Sequence, residues 1–137
     1  MTAPLDGLRV LDLSRILAGP FCTMMLGDMG AEVIKVEHPK GGDDTRSWPP
    51  FYDGGESTYF QSVNRNKKSL TLDLKAEEGK RILRKLVEKS DIFLQNFRPG
   101  AIERLGLGYE EMSALNPRLI YASVSGYGQT GPNRERP

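Results

Sequence analysis

The chain holds one cysteine (Cys22), one histidine (His38) and one tryptophan among 137 residues. A lone thiol closes no internal disulfide, which fits a reducing compartment. One His and one Cys without paired spacing give no sequence signature of a metal centre. Charge of neither sign is in excess: 19 Lys and Arg face 18 Asp and Glu, for a net charge of +1. That balance excludes the electrostatic footprint of a nucleic-acid binder. No apolar run approaches the roughly 18–20 residues that cross a bilayer. The opening residues show neither a basic-then-apolar leader nor an Arg/Ser-rich amphipathic one. The expectation is a soluble cytoplasmic protein, or a mitochondrial-matrix one if a presequence was removed before Met1. No membrane, nucleic acid or metal partner is expected.

What is present is an alternation of strands and helices. At 137 residues the chain suffices for one domain with a real core. Residues 9–37 read as one βαβ unit. An aliphatic strand over 9–13 meets the turn Ala18-Gly19-Pro20, and an apolar helix leads to a strand over 33–36 that ends at Glu37. Pro20 stands near the first helical position, where its missing N–H costs nothing. Phe21, Met24, Met25 and Met29 are expected to form that helix's apolar stripe. The run HPKGGDDTRSWPPFYDGGES is too rich in Gly, Pro and Asp for regular structure. It reads as a long ordered loop, which in a compact domain is usually functional or a partner surface.

A short helix over 57–63 begins at a hydroxyl cap, and the basic turn NRNKKS feeds a strand over 69–73. The clearest helix spans 76–89, with Ile82, Leu83, Leu86 and Val87 on one face. Glu77 and Glu78 at its start and Lys85 and Lys89 at its end suit the helix dipole. A strand over 92–95, short helices over 100–105 and 109–115, and a strand over 119–124 complete the pattern. Such alternation implies an α/β fold with parallel strands and right-handed crossovers. The ending GYGQTGPNRERP is turn chemistry without a closing element. The chain is therefore expected to be the N-terminal piece of a longer protein.

Several residues could carry chemistry. Ala18-Gly19-Pro20 is either a good βα turn or a helix N-terminus open to phosphate. A full G-x-G-x-x-G is absent, although Glu37 falls where a ribose-binding acid would sit. His38, beside Lys40, is a surface residue, a base, or a contact for an anionic ligand. Arg46 and the cluster Arg65, Lys67 and Lys68 are solvated charges or phosphate ligands. Asp43 and Asp44 are turn formers or acids. Cys22 reads as a structural thiol rather than a nucleophile. Asn96-Phe97-Arg98 and Ser125-Gly126-Tyr127-Gly128 each follow a strand, so they share one sheet edge with the Ala-Gly-Pro turn. Open α/β sheets bind their ligands at that edge.

The segments PLDGLRVLDLSRILAGP, LGDMGAEVIKVEHP, GGDDTR, NRNKKSLTLDLK, FRPG, LGLGYEE and GYGQTGP, in this order and spacing, closely resemble the opening of family III CoA-transferases. That superfamily includes formyl-CoA transferase, carnitine CoA-transferases and 2-methylacyl-CoA racemases. GDDTRSW and ESTYFQSVNRNKKS are most similar to its succinate–hydroxymethylglutarate branch. The resemblance implies a Rossmann-like parallel sheet with flanking helices, the N-terminal part of the large domain of an interlocked homodimer. It implies coenzyme A, as acyl-CoA, and carboxylic acids as substrates, with no metal.

Carried over by position, the resemblance puts Leu17 and Ala18 in the turn facing the CoA site, and His38 at a phosphate contact. Leu72, Asp73, Leu74 and Lys75 would line adenine and ribose, and Asn96, Phe97 and Arg98 the ribose and pantetheine arm. Arg104 would serve a phosphate, and Ser125, Gly126, Tyr127 and Gly128 the pantetheine end. Leu17, His38 and Ser125 replace a Gln, an Arg and a Lys of formyl-CoA transferase, which argues against formyl or oxalyl specificity. The family's nucleophilic aspartate lies beyond Pro137, so no catalytic residue is expected in this segment, which alone is expected to be inactive. The alternatives are a racemase or, if the chain is complete, a non-catalytic CoA- or nucleotide-binding module.

Overall fold

Five short strands pair in parallel in the computed structural model, which describes residues 2–136. They are β1 (Arg9–Asp12), β2 (Glu32–Glu37), β3 (Lys67–Thr71), β4 (Ile92–Gln95) and β5 (Ile120–Ser123). Between them run α1 (Ala18–Asp28), α2 (Thr58–Asn64), α3 (Glu77–Val87), α4 (Ala101–Arg104) and α5 (Tyr109–Leu115). The order across the sheet is β3-β2-β1-β4-β5, which matches five of the six strands of the Rossmann order. The expected α/β class and parallel sheet are borne out.

Period-two alternation sends each strand's side chains to opposite faces. Leu11, Leu13, Val36, Leu72 and Phe93 meet Leu83, Val87, Ile102, Leu107 and Met112 in one buried apolar cluster. Phe93 stacks on Tyr121 with ring centroids 4.9 Å apart. The smaller apolar cluster of the other face is Val10, Ala31 and Val33, with Leu26 and Ile92 against it. Above it lie buried polar side chains, Asp12, Ser14, Thr23, Lys35, Glu37 and Asp43.

Two expectations are corrected. The third strand spans Lys67–Thr71 rather than 69–73, because Lys67 belongs inside the sheet, registered against Val33. Its ammonium reaches Asp12 at 3.1 Å and the Pro20 carbonyl at 2.8 Å. The apolar stripe of α1 also divides: Met24 is buried at 3% exposure, while Phe21, Met25 and Met29 remain 47%, 41% and 44% exposed. The face of α1 that packs inward is built from Gly19, Pro20, Thr23 and Met24. The loop after β2 is irregular as expected, with one 3-10 turn at Asp44–Ser47. Ser57 caps α2 by accepting the Phe60 N–H at 3.3 Å.

Candidate functional site

The strand order reverses between β1 and β4, so the crevice of an open α/β sheet lies outside their carboxyl ends. The chain leaving β1 is held there by four side chains. Asp12 accepts the Ser14 N–H at 2.9 Å, and Lys35 Nζ donates to the Ser14 carbonyl at 2.7 Å. Asn96, just past β4, accepts the Arg15 N–H at 2.9 Å and donates to the Arg15 carbonyl at 2.8 Å. The Ile16 N–H points at both Asp43 oxygens, at 3.3 and 3.4 Å. Ile16 has φ of 74°, a conformation that β-branched residues rarely adopt.

Gly19 follows from the same turn. A Cβ there would lie 2.3 Å from the Ser14 Cβ, so the glycine lets α1 start against the locked Ser14 side chain. Close packing, rather than ligand approach at that atom, accounts for the Gly.

Two hollows open along this edge. One, of about 330 Å³, is lined by Leu13, Arg15, Val36, His38, Leu72, Asp73, Leu74, Lys75, Phe97 and Leu105, with Glu37 at its floor. The second, of about 230 Å³, is lined by Asn96, Phe97, Arg98, Pro99, Val124, Ser125, Gly126, Tyr127, Arg134 and Arg136. Phe97 is a wall of both. A larger hollow of about 690 Å³ lies at the opposite, amino-terminal edge among Arg9, Glu32 and Lys68, away from the switch point.

The structure thus brings His38 together with Leu72, Asp73, Leu74 and Lys75, and Asn96 and Arg98 together with Ser125, Gly126 and Tyr127. Leu17, Ala18, Arg104 and Gly128 are exposed and line neither hollow. His38 Nδ1 lies 3.0 Å from the Lys40 N and 3.2 Å from the Lys40 carbonyl oxygen, which ties the ring to its own loop. Asp73 accepts the Lys75 N–H at 2.9 Å and shapes the exit from β3.

Reasoning from the sequence missed Arg15, Gln95, Arg134 and Arg136. Buried Gln95 accepts the Phe97 N–H at 2.7 Å and donates to Ser123 Oγ at 2.9 Å, tying the exits of β4 and β5 together. A polar residue closing the apolar run IFL was the available signal for it.

The basic clusters find partners inside the protein. Arg46 clamps Glu37 with two bonds of 2.7 Å and lies 3.8 Å over the Phe60 ring. Arg65 pairs with Asp28 at 2.6 Å, and Lys68 with Glu32 at 2.7 Å. Lys35 pairs with Asp43 at 2.9 Å, both side chains fully enclosed. Burial alone would raise the Glu37 pKa. Arg46, Ser69 and the Asp43 N–H outweigh it and hold the carboxyl at about 2. Burial also opposes the charge on Asp43, and Lys35 and Thr45 overcome it, so its pKa is lowered. Lys67 is lowered by burial, against the pull of Asp12. Glu37 is therefore the structural centre of the loop after β2, its carboxylate engaged by Arg46, Ser69 and the Asp43 N–H.

Among the described residues no group of three or more His, Cys, Asp or Glu could hold a metal ion, and no helix is long and apolar enough to cross a membrane.

A parallel α/β sheet with hollows outside the strand ends at its switch point has the arrangement in which open α/β sheets bind their ligands. The chain belongs to CoA-transferase family III, whose family description matches residues 5–137. It is 56% identical over 133 residues to a mouse protein named succinyl-CoA:glutarate CoA-transferase, covering 97% of this chain and 30% of that one. It is 54% identical to an Acetobacter aceti protein named acetyl-CoA:oxalate CoA-transferase, covering 94% of this chain and 33% of the relative. The crystal structure of a CAIB/BAIF family protein from Brucella suis superposes with a TM-score of 0.93 at 48% identity, over 99% of this chain and 37% of that one. The chain spans about a third of the length of the relatives it matches.

Proposed function

We propose that this chain is the N-terminal, coenzyme A-binding segment of an enzyme that moves CoA between carboxylic acids, dicarboxylates in particular. The observation that carries the reading is the pair of hollows sharing Phe97 at the switch point, in a chain that belongs to this family. The larger has apolar walls, Leu13, Val36, Leu72, Leu74 and Leu105, suited to a flat heteroaromatic base. Arg15, Lys75 and His38 stand beside it for phosphate. The smaller is lined by Arg98, Arg134 and Arg136, which suit the negative charge of a pyrophosphate or a substrate carboxylate. Leu17 and Ala18 border the thioester region in this reading, while Arg104 serves a phosphate and Gly128 the pantetheine end.

The names of the two relatives each pair a CoA ester with a dicarboxylic acid, which supports that substrate class. In this reading the nucleophilic carboxylate and the rest of the large domain are supplied after residue 137, in an interlocked homodimer. The segment's own part is to bind and orient the CoA ester and to bring positive charge to an anionic acid.

The test is to incubate the full-length protein with succinyl-CoA and, separately, glutarate, oxalate, malate and a monocarboxylate. Formation of the new CoA ester with at least one dicarboxylate is expected. No exchange with any acid would refute the reading. Racemisation of a 2-methylacyl-CoA without exchange would replace it with the racemase alternative.

A further inference from the structure

The turn between β1 and α1 adopts a shape that its own sequence does not favour. Ile16 is β-branched, yet it sits at φ 74°, in the region glycine would fill more readily. It is only half-buried, so apolar packing does not impose the conformation. Such a backbone persists where its surroundings over-determine it.

Those surroundings converge on Asp43. Its carboxylate receives the Ile16 N–H at 3.3 and 3.4 Å, pairs with Lys35 at 2.9 Å, and caps the Asp44–Ser47 turn through the Thr45 N–H at 3.0 Å. Lys35, in the middle of β2, also holds the Ser14 carbonyl at 2.7 Å. One ion pair therefore fixes both ends of the segment from Ser14 to Ile16, while Asn96 fixes Arg15 from the β4 side. The segment leads into Leu17 and Ala18, both exposed.

We propose that Asp43, anchored by Lys35, is a positioning residue that holds the Ile16 main chain in the left-handed region. It thereby sets where Leu17 and Ala18 stand against the bound ester. The proposal rests on the reading of CoA transfer given above. It goes beyond that reading in assigning the GDDTR loop to turn geometry, not to ligand contact.

The test compares Ile16→Gly and Asp43→Asn in the full-length protein. Glycine accepts the positive φ without strain but lets the turn move. Ile16→Gly should keep or raise the melting temperature while kcat falls about tenfold, with KM for the CoA ester within about twofold. Asp43→Asn should speed hydrogen exchange of the Ile16 amide about tenfold and lower kcat similarly. The double variant should be no slower than Ile16→Gly, because both act through one turn.

Activity that merely follows the melting temperature in both variants overturns the proposal. So does an Ile16 amide as protected in Asp43→Asn as in the wild type. A wild-type protein that exchanges no CoA refutes the functional reading instead. The amide-exchange comparison then still decides whether Asp43 holds the turn.

Discussion

On the face of the sheet covered by α3 and α5, Leu11, Val36, Phe93, Leu83 and Met112 exclude water with aliphatic and aromatic surface. On the face covered by α1 and α2, Asp12, Lys35, Glu37 and Asp43 are just as thoroughly buried, and they are charged. The first face is held by burial of apolar area, which is non-directional and tolerates conservative repacking. The second is held by directed bonds, each of which leaves a charge stranded if its partner is removed. Fixed geometry is the return on that arrangement. The ionic face is where the exits of β1 and β2 are tied; the apolar face carries the scaffold and, through Leu13, Val36 and Leu72, walls of the larger hollow.

The ionic face is most vulnerable at Asp12, which accepts bonds from Ser14, Thr23 and Lys67. Asp12→Ala should cost about 3–5 kcal/mol in urea unfolding, because the enclosed Lys67 ammonium loses its counter-charge. A cost under about 1 kcal/mol would mean that face is not held by its ion pairs. On the apolar face, Leu83→Ala should cost about 3 kcal/mol by cavity formation.

The directed character of the ionic face is sharpened by acid. Glu37 has an ordinary pKa of 4.5 lowered to about 2, so its ionised form stabilises the fold above about pH 4.5. That stability drains as the pH falls toward 2. Because the clamping Arg46 is partly solvated, the loss should be about 2 kcal/mol between pH 5 and 2.5, and absent in Glu37→Gln. Parallel pH profiles for wild type and variant would sink this assignment. Lys35→Met and Asp43→Asn should be coupled, the pair costing about 1–3 kcal/mol less than the sum of the singles. At the small end, Arg81→Ala removes an exposed helix pair with Glu78 and should leave the melting midpoint unmoved.

The apolar face is legible in the amino-acid sequence. Ile82, Leu83, Leu86 and Val87 mark α3, and short aliphatic runs mark β1, β2 and β4, because periodic hydrophobicity is a local signal. The ionic face is not, and the strand at Lys67 shows why. A lysine after Asn-Arg-Asn reads as a solvated turn until the carboxylate of Asp12, more than fifty residues away, is seen against it. The same holds for α1. Phe21, Met25 and Met29 look like a core stripe, yet the buried side is Gly19, Pro20, Thr23 and Met24, selected by Ser14 and Asp12 beneath them. At the candidate site, residues that follow strands could be placed at one edge from the alternation of elements. Their grouping into two hollows joined by Phe97, and the arrival of Arg134 and Arg136 in the second, could not.

The amino-acid sequence by itself determined the class of fold, the run of elements and the edge at which ligands would meet the sheet, since these follow from periodicity and right-handed crossover. Only the tertiary structure decided which charges are tied into the protein as struts and which line the hollows. Whether a lysine meets water or a buried carboxylate depends on which strand the sheet sets beside it.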